Sequence, residues 1–226
     1  MKLLYLHGLA SGGQSATVRL LRKLLPEIEI IAPDIPVNAQ EALEMLKGLS
    51  KSLSADDIIV GTSMGAFYAQ MMRGWRRILV NPSFHTSEAV LRPNFGKTMP
   101  FFLPRRDGVQ EYTITEEMCR SVEDAEARQF DSDLGIISGY PESPDNVKAF
   151  FGLRDNLVNC RDEYLQHYTQ CGFFDGGHRL DPATMTRIIV PEIRKMIENS
   201  CRTARLFHLR QNKRRIPPLP GSLRIG

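Results

Sequence analysis

Residues 60–66 read VGTSMGA and contain a Gly-x-Ser-x-Gly motif, placed between an apolar run of strand length and a stretch with helical periodicity. A serine at a sharp strand-to-helix turn needs small neighbours, because its backbone is strained and the helix passes close to the strand. Gly61 and Gly65 meet this need, and Ser63 would then project its hydroxyl from the top of a sheet. This context predicts a nucleophilic serine, although the five-residue pattern alone also fits a tight structural turn.

Strand-like and helix-like stretches alternate along the chain. Such an alternation, with strands that read as buried on both faces, predicts an α/β fold in which a mostly parallel six-stranded sheet carries helices on both faces. The apolar runs of strand length are Lys2–Leu6, Ile28–Ala32, Asp57–Val60, Arg77–Val80, Val147–Phe151 and Gly172–Phe174. The amphipathic helical stretches are Ser15–Leu25, Ala39–Leu49, Gly65–Gly74, Val158–Tyr168 and Pro182–Glu198.

Residues 83–145 interrupt this alternation and show no strand partner of their own. They include the Pro- and Phe-rich sequence MPFFLP at 99–104, followed by a helix that Thr115 and two glutamates open. Because a long insertion in a compact domain is usually functional, we expect a lid over the carboxyl edge of the sheet. One domain is therefore expected over residues 1–199. Residues 200–226 are expected to form a basic, Pro-containing and weakly ordered C-terminal tail.

Two further stretches support Ser63 as a nucleophile. Asp155 follows the run Val147–Phe151, and His178 follows the last apolar run. Both side chains would emerge at the same sheet edge as Ser63, and the chain order Ser, Asp, His is that of an α/β-hydrolase triad. We therefore predict Ser63 as nucleophile, Asp155 as acid and His178 as base. Asp155 could instead cap a helix or turn, His178 could be a solvated loop histidine, and Asp175 is the second candidate for the acid.

A nucleophilic serine also requires hydrogen-bond donors for the oxyanion, and the loop after the first strand, HGLASGG at residues 7–13, could supply one of them. We expect the N–H groups of Leu9 and Met64 to hold the oxyanion. A phosphate loop is excluded, because no Gly-Lys-Ser/Thr follows these glycines and no G-x-G-x-x-G is present. The weaker candidates for substrate contact are His7, Phe101 and Phe102. Packing or a loop hydrogen bond would also explain His7, and the two aromatic rings could form the insertion's own small core.

Composition and charge exclude several other classes of protein. With 42% hydrophobic and 24% charged residues, the 226-residue chain is typical of a globular protein. Seven of the 29 Lys and Arg residues follow Glu198 and none of the 26 Asp and Glu residues does, so residues 1–199 carry 22 basic and 26 acidic side chains. This balance argues against a nucleic-acid surface on the folded part.

The amino terminus and the cysteines point to an intracellular enzyme without bound metal. The apolar run Leu3–Leu6 is too short for a signal sequence or a membrane span, so we expect a cytoplasmic protein. The four cysteines have neither CxxC spacing nor a histidine at zinc-ligand spacing, which favours free thiols. Neither a metal nor any other cofactor is expected.

Several of these motifs resemble one known family, the small bacterial YqiA/YcfP-type α/β-hydrolases, over roughly residues 2–198. The resemblance implies an esterase built on a short hydrolase core, with its triad at Ser63, Asp155 and His178. At the acid, RDNLV at 154–158 departs from the more usual Gly-Asp-Glu of the family. The matching stretches are LYLHG at 4–8, GTSMG at 61–65, NP at 81–82, Tyr164 and GGH at 176–178.

The predicted function is hydrolysis of a carboxylic ester or thioester through an acyl-enzyme. His178 would take the proton of Ser63, Ser63 would attack the carbonyl carbon, and water would then release the acid. The expected partner is a small-molecule ester or thioester. The alternative is a catalytically inactive α/β-hydrolase-fold protein that works as a binding module or scaffold.

Overall fold

The computed structural model describes residues 1–131, 136–137 and 140–199. Its strands are β1 (Lys2–Leu6), β2 (Glu29–Ile31), β3 (Ile58–Thr62), β4 (Met72–Arg73), β5 (Arg76–Val80), β6 (Thr98–Pro100), β7 (Glu111–Thr113), β8 (Ile136–Ile137), β9 (Val147–Gly152) and β10 (Gln170–Phe174). Its helices are α1 (Ala16–Leu24), α2 (Ala39–Ser50), α3 (Met64–Met71), α4 (Glu116–Ala127), α5 (Arg161–His167) and α6 (Pro182–Thr184). Helix α6 continues as a π-helix over Met185–Ile189 and as an α-helix over 190–199, and the label α6 is used for this whole stretch. Short helical turns lie at Ser87–Leu91, Arg92–Asn94 and Pro144–Asn146.

Six strands form one sheet in the order β10–β9–β5–β3–β1–β2, and every neighbouring pair is parallel. The predicted mostly parallel six-stranded sheet is therefore confirmed. The chain moves outward from β1 to β2 and then returns to place β3 on the other side of β1, so the strand order reverses between β1 and β3. Crevices at such reversals, outside the carboxyl ends of the strands, are where open α/β sheets bind ligands.

Each face of the sheet has its own hydrophobic core, which explains why the strand sequences are apolar without alternation. In β1, Leu4 and Leu6 pack into one core with α2, α3 and α5, whereas Leu3 and Tyr5 pack into the other with α1 and α6. Burying one such leucine stabilises the fold by about 1.5–3 kcal/mol. The loops after β1 and β3 lead to helices on opposite faces, and this leaves an opening between them at the sheet edge.

The predicted strand bounds agree with the observed ones to within two residues, whereas two helices each have one end three residues inside the predicted bound. The helix predicted to reach Gly74 ends at Met71, because Met72–Arg73 is extended and pairs with Ile136–Ile137. The helix predicted from Val158 starts at Arg161, because the preceding residues form a turn around Asp155.

The insertion at 83–145 differs from the prediction that it has no strand partner. Thr98–Pro100 and Glu111–Thr113 pair as an antiparallel hairpin, and β8 pairs with β4. These strands are two or three residues long, too short for a periodicity to be recognised. The helix expected after Thr115 is present as α4, and the Thr115 hydroxyl accepts a hydrogen bond from Met118 N at 3.2 Å.

The sequence prediction of a tail over 200–226 lies outside the described residues. In the part of the chain that is described, no helix combines the length and apolar character needed to cross a bilayer.

Candidate active site

Ser63 stands at the turn between β3 and α3 in a conformation that side chains other than glycine rarely adopt, with φ 55° and ψ −124°. Such a conformation costs about 1–3 kcal/mol and persists only where surrounding contacts impose it. Here Ser63 N donates to Val80 O at 2.9 Å, and Ser63 O accepts from Ala66 N at 2.9 Å. The strained turn lifts the hydroxyl above the sheet edge at the start of α3.

The two glycines of the motif are required by the close approach of β1, β3 and α3. A Cβ atom on Gly65 would lie 2.1 Å from Leu6 O, and one on Gly61 would lie 2.3 Å from Gly65 O. Both distances are far shorter than any non-bonded contact of a real Cβ. The steric reason given for these glycines from the sequence is therefore confirmed.

Ser63, His178 and Asp155 form one continuous chain of hydrogen bonds. His178 Nε2 lies 2.8 Å from Ser63 Oγ, and His178 Nδ1 lies 2.8 Å from Asp155 Oδ2. The Asp155 side chain is only 5% exposed and that of His178 17% exposed, so water has little access to their bond. A carboxylate accepts only, which assigns the proton to Nδ1 and leaves Nε2 free to accept the serine proton.

The second oxygen of Asp155 organises the loop that carries it. Asp155 Oδ1 accepts from Leu157 N at 2.9 Å and from Val158 N at 3.1 Å. One oxygen of Asp155 thus has the contact expected of an acid beside His178, and the other has the contacts of a turn cap. The RDNLV sequence at 154–158 builds its own turn around this carboxylate.

Asp175, the second candidate for the acid, and two further histidines lie elsewhere. Asp175 is 76% exposed and pairs with Arg154 at 3.0 Å, on the surface. His85 pairs with Glu163 at 2.7 Å. His167 stacks on the ring of Phe130 at a centroid distance of 3.7 Å, and His208 lies outside the described residues. Across the described ranges no three His, Cys, Asp or Glu side chains gather as a metal site would need.

Leu9 and Met64 line one small recess, together with His7, Gly8 and Tyr68, among others. The space inside it is about 10 Å³, roughly what one water molecule needs. Neither the N–H of Leu9 nor that of Met64 donates to an acceptor among the described residues. Free backbone donors beside a serine hydroxyl are what an oxyanion would bind.

His7 is engaged in holding the loop after β1. Its Nδ1 donates to Gly8 O at 2.8 Å, and its Nε2 accepts from Ile35 N at 3.0 Å. Burial lowers the pKa of His7 below its ordinary value, and the nearby charge of Arg105 adds to this effect, so the ring is neutral as its two hydrogen bonds require. Both ring nitrogens are occupied, which matches the loop hydrogen-bond interpretation and leaves neither nitrogen for a substrate.

Phe101 and Phe102 have different surroundings. The Phe101 ring lies 4.9 Å from the Tyr112 ring and 4.4 Å from the Arg105 guanidinium, and both rings pack against the main core on one face of the sheet. Phe102 is 62% exposed, and its ring lies 5.1 Å from the guanidinium of Arg179, the residue after His178. Of the two, only Phe102 lies at the rim of the site.

Asp34, which the sequence interpretation did not single out, connects the loop after β1 to the insertion. Its Oδ1 accepts from Gly13 N at 2.6 Å and its Oδ2 from Arg106 N at 2.7 Å. Phe102 N also donates to Ala10 O at 2.8 Å, so the insertion is attached to this loop twice. The sequence offers no signal for this role, because a single aspartate after a strand is not a recognisable motif. Its two hydrogen-bond partners lie 21 and 72 residues away along the chain.

Solved structures with the same fold are found among hydrolases. Alpha/beta hydrolase domain-containing protein 10 from mouse has 13% identity and a TM-score of 0.58, covering 88% of this chain and 90% of that one. The monoacylglycerol lipase of Paleococcus ferrophilus has 15% identity and a TM-score of 0.57, with coverages of 87% and 94%. The fluorophosphonate-binding serine hydrolase FphF of Staphylococcus aureus has 17% identity and a TM-score of 0.55, with coverages of 87% and 83%. These similarities establish the α/β-hydrolase fold.

The family follows from the sequence itself. The profile of the group described as "Uncharacterised protein family (UPF0227)" matches residues 2–171, which include Ser63 and Asp155 and end shortly before His178. The resemblance to YqiA/YcfP-type proteins is thereby confirmed. The chain belongs to the UPF0227 family.

Proposed function

We propose that this protein is a serine hydrolase that cleaves carboxylic ester or thioester bonds through an acyl-enzyme on Ser63. The observation that carries the proposal is the chain of two 2.8 Å hydrogen bonds from Ser63 Oγ through His178 to Asp155. A serine hydroxyl is a weak nucleophile by itself, and an adjacent oriented base is what activates it.

The first step is attack of Ser63 Oγ on the substrate carbonyl carbon. His178 Nε2 accepts the serine proton as the new C–O bond forms, and Asp155 keeps the Nδ1 proton in place and stabilises the resulting imidazolium. Collapse of the tetrahedral intermediate expels the alkoxide or thiolate, which His178 protonates. In the second step His178 activates water, the acyl–Ser63 bond is hydrolysed, and the free acid leaves.

The N–H groups of Leu9 and Met64 donate hydrogen bonds to the negatively charged oxygen of the tetrahedral intermediate. That neither N–H donates to an acceptor in the described part of the chain supports this role, because an amide already bonded to a carbonyl would have to break that bond first. Removal of one such donor typically costs about 3–4 kcal/mol of transition-state stabilisation. Asp34 and His7 support the loop that presents Leu9 from its two sides.

Esters and thioesters are proposed over amides because their leaving groups depart more readily, and because the family resemblance implies esterases. The exposed ring of Phe102 at the rim of the site supports an apolar group next to the scissile bond. The insertion at 83–145 would act as a lid over this group, attached through Asp34 and Ala10. The hydrolase names of the structural neighbours agree with the reaction class, and each substrate named there belongs to that neighbour.

The test is labelling with a fluorophosphonate, followed by assay of short-chain 4-nitrophenyl esters and an acyl thioester. We expect one label, located on Ser63 by peptide mass spectrometry, that is lost in Ser63→Ala. Ser83→Ala is the matched control, since Ser83 is a nearby buried serine whose hydroxyl bonds to Thr86 at 2.8 Å. A folded wild-type protein that takes no label and cleaves neither substrate class would instead support the binding or scaffold alternative.

A further inference from the structure

We propose that Asn81 is a positioning residue for the triad, whose buried side-chain amide fixes the loop of the acid relative to the loop of the base. Asn81 directly follows β5, which lies between the nucleophile strand β3 and the acid strand β9 in the sheet. It does not touch the reacting atoms. The inference rests on the proposed function, because it assigns a task within that triad.

The Asn81 amide bonds to both loops at once. Its Oδ1 accepts from Gly152 N at 2.7 Å, at the start of the loop that leads to Asp155. Its Nδ2 donates to Gly177 O and to His178 O, each at 3.0 Å, in the loop of the base. The orientation of the amide is determined by these partners, since two carbonyls need a donor and one N–H needs an acceptor.

The backbone around Asn81 reaches the third member of the triad. Val80 O accepts from Ser63 N at 2.9 Å, and Ser83 N donates to Ser63 O at 3.3 Å. Asn81 N itself donates to Phe150 O at 2.9 Å. The segment 80–83 therefore contacts the three segments that contain the nucleophile, the acid and the base. The Asn81 side chain makes the contacts to the segments of the acid and of the base.

Few residue types meet the requirements at this position. Asn81 is 2% exposed and has φ 45°, a left-handed conformation that asparagine, aspartate and glycine tolerate best. The site also requires two N–H donors and one acceptor within a single short side chain, which only asparagine offers. An aspartate keeps the acceptor for Gly152 N–H but can satisfy at most one of the two carbonyls.

The consequence of losing the amide is a misplaced base. His178 must sit within hydrogen-bond distance of two partners that belong to different loops, and both bonds are 2.8 Å. A shift of the His178 backbone by a fraction of an ångström lengthens at least one of them, and misplacement on this scale slows the chemical step. Phe102 and Leu9, which are proposed to contact the substrate, lie on elements that the Asn81 side chain does not hold, so the KM should change little.

The test compares Asn81→Gly with Tyr164→Phe. Asn81→Gly removes all three side-chain bonds without a penalty from the positive φ. Tyr164→Phe is the matched control, because the buried Tyr164 hydroxyl donates to Gln170 O at 2.7 Å and lies 3.3 Å from Val147 O, at the opposite ends of the same strands β9 and β10. Asn81→Asp is the second, isosteric variant, to be used in the same way should Asn81→Gly fail to fold.

For Asn81→Gly we expect kcat for a short-chain ester to fall at least about tenfold, with KM within about threefold of wild type and fluorophosphonate labelling of Ser63 slowed in parallel. Asn81→Asp should lose kcat in the same direction. Tyr164→Phe should keep kcat within about threefold even where its loss of thermal stability is comparable. If both Asn81 variants keep wild-type kcat, or Tyr164→Phe loses as much, the inference is wrong. Labelling of wild-type Ser63 decides the proposed function separately, since it does not depend on any Asn81 variant.

Discussion

Asp155 divides its carboxylate between His178 and its own loop, with Oδ2 at 2.8 Å from His178 Nδ1 and Oδ1 on the N–H groups of residues 157 and 158. One side chain therefore both shapes the turn and orients the imidazole. The structural contribution and the proposed catalytic one can therefore be attributed to different oxygen atoms.

Asp155→Asn should retain the fold and lose several orders of magnitude in kcat. An asparagine can keep its oxygen on the loop amides, but its NH₂ group then faces His178 Nδ1 and favours the wrong tautomer. Asp175→Asn is the control, since its carboxylate is exposed and paired with Arg154, and should stay within about threefold of wild type. Steady-state kinetics of the two variants decide the assignment. A mild effect at Asp155 with a large one at Asp175 would transfer the role of acid.

Ser63→Ala should abolish ester hydrolysis and leave thermal stability nearly unchanged. The Ser63 hydroxyl contributes a hydrogen bond to His178 and little packing, and the strained backbone is the same for alanine. We expect the free energy of unfolding to change by less than about 1 kcal/mol. Thermal denaturation and ester assay on the same preparation measure both quantities. Retention of even about a tenth of wild-type turnover would exclude Ser63 as the nucleophile.

His7 should make folding stability depend on pH. Because burial lowers its folded-state pKa, His7 is neutral in the folded protein, whereas the unfolded chain takes up a proton as pH falls through about 6.5. Its contribution is thus complete above that pH and is lost below it. His7→Gln can keep the bond from Ile35 N but cannot titrate. Chemical denaturation at several pH values should show a shallower loss of stability on acidification for the variant, and equal slopes would exclude this role.

Truncation after residue 199 should leave kcat/KM for a short-chain ester within about threefold of the full chain. Residues 200–226 combine seven basic side chains with a Pro-rich end and lack the apolar content for a core of their own. The matched preparations are the full chain and the truncated chain, assayed at equal concentration. A loss of a hundredfold, or a truncated protein that does not fold, would place the tail within the domain.

The elements that the sequence predicted well are those in which a local pattern and the tertiary structure agree. The buried strands are continuous apolar runs because both faces of the sheet are covered. The Gly-x-Ser-x-Gly motif has its two glycines because β1, β3 and α3 approach one another too closely for a Cβ at either position. In these cases one short stretch of sequence carries the whole physical reason.

The features that the sequence did not reveal depend on partners far along the chain. Asn81 bonds to residues 71, 96 and 97 positions away, and its own neighbourhood shows only an Asn-Pro pair. The strands β6, β7 and β8 are too short for a periodic signal and form because their partners are present. The expectation for Phe101 and Phe102 as a pair could not separate the ring that packs against the main core from the ring that is exposed.

Acylation of Ser63 can be observed by acid quenching of the protein during turnover of a 4-nitrophenyl ester, followed by mass spectrometry of its peptides. We expect an acyl group on Ser63 that appears with a burst of 4-nitrophenol, and neither of these in His178→Gln. Steady hydrolysis by the wild-type protein without any acyl group on Ser63, or an equal burst in His178→Gln, would contradict the proposed mechanism.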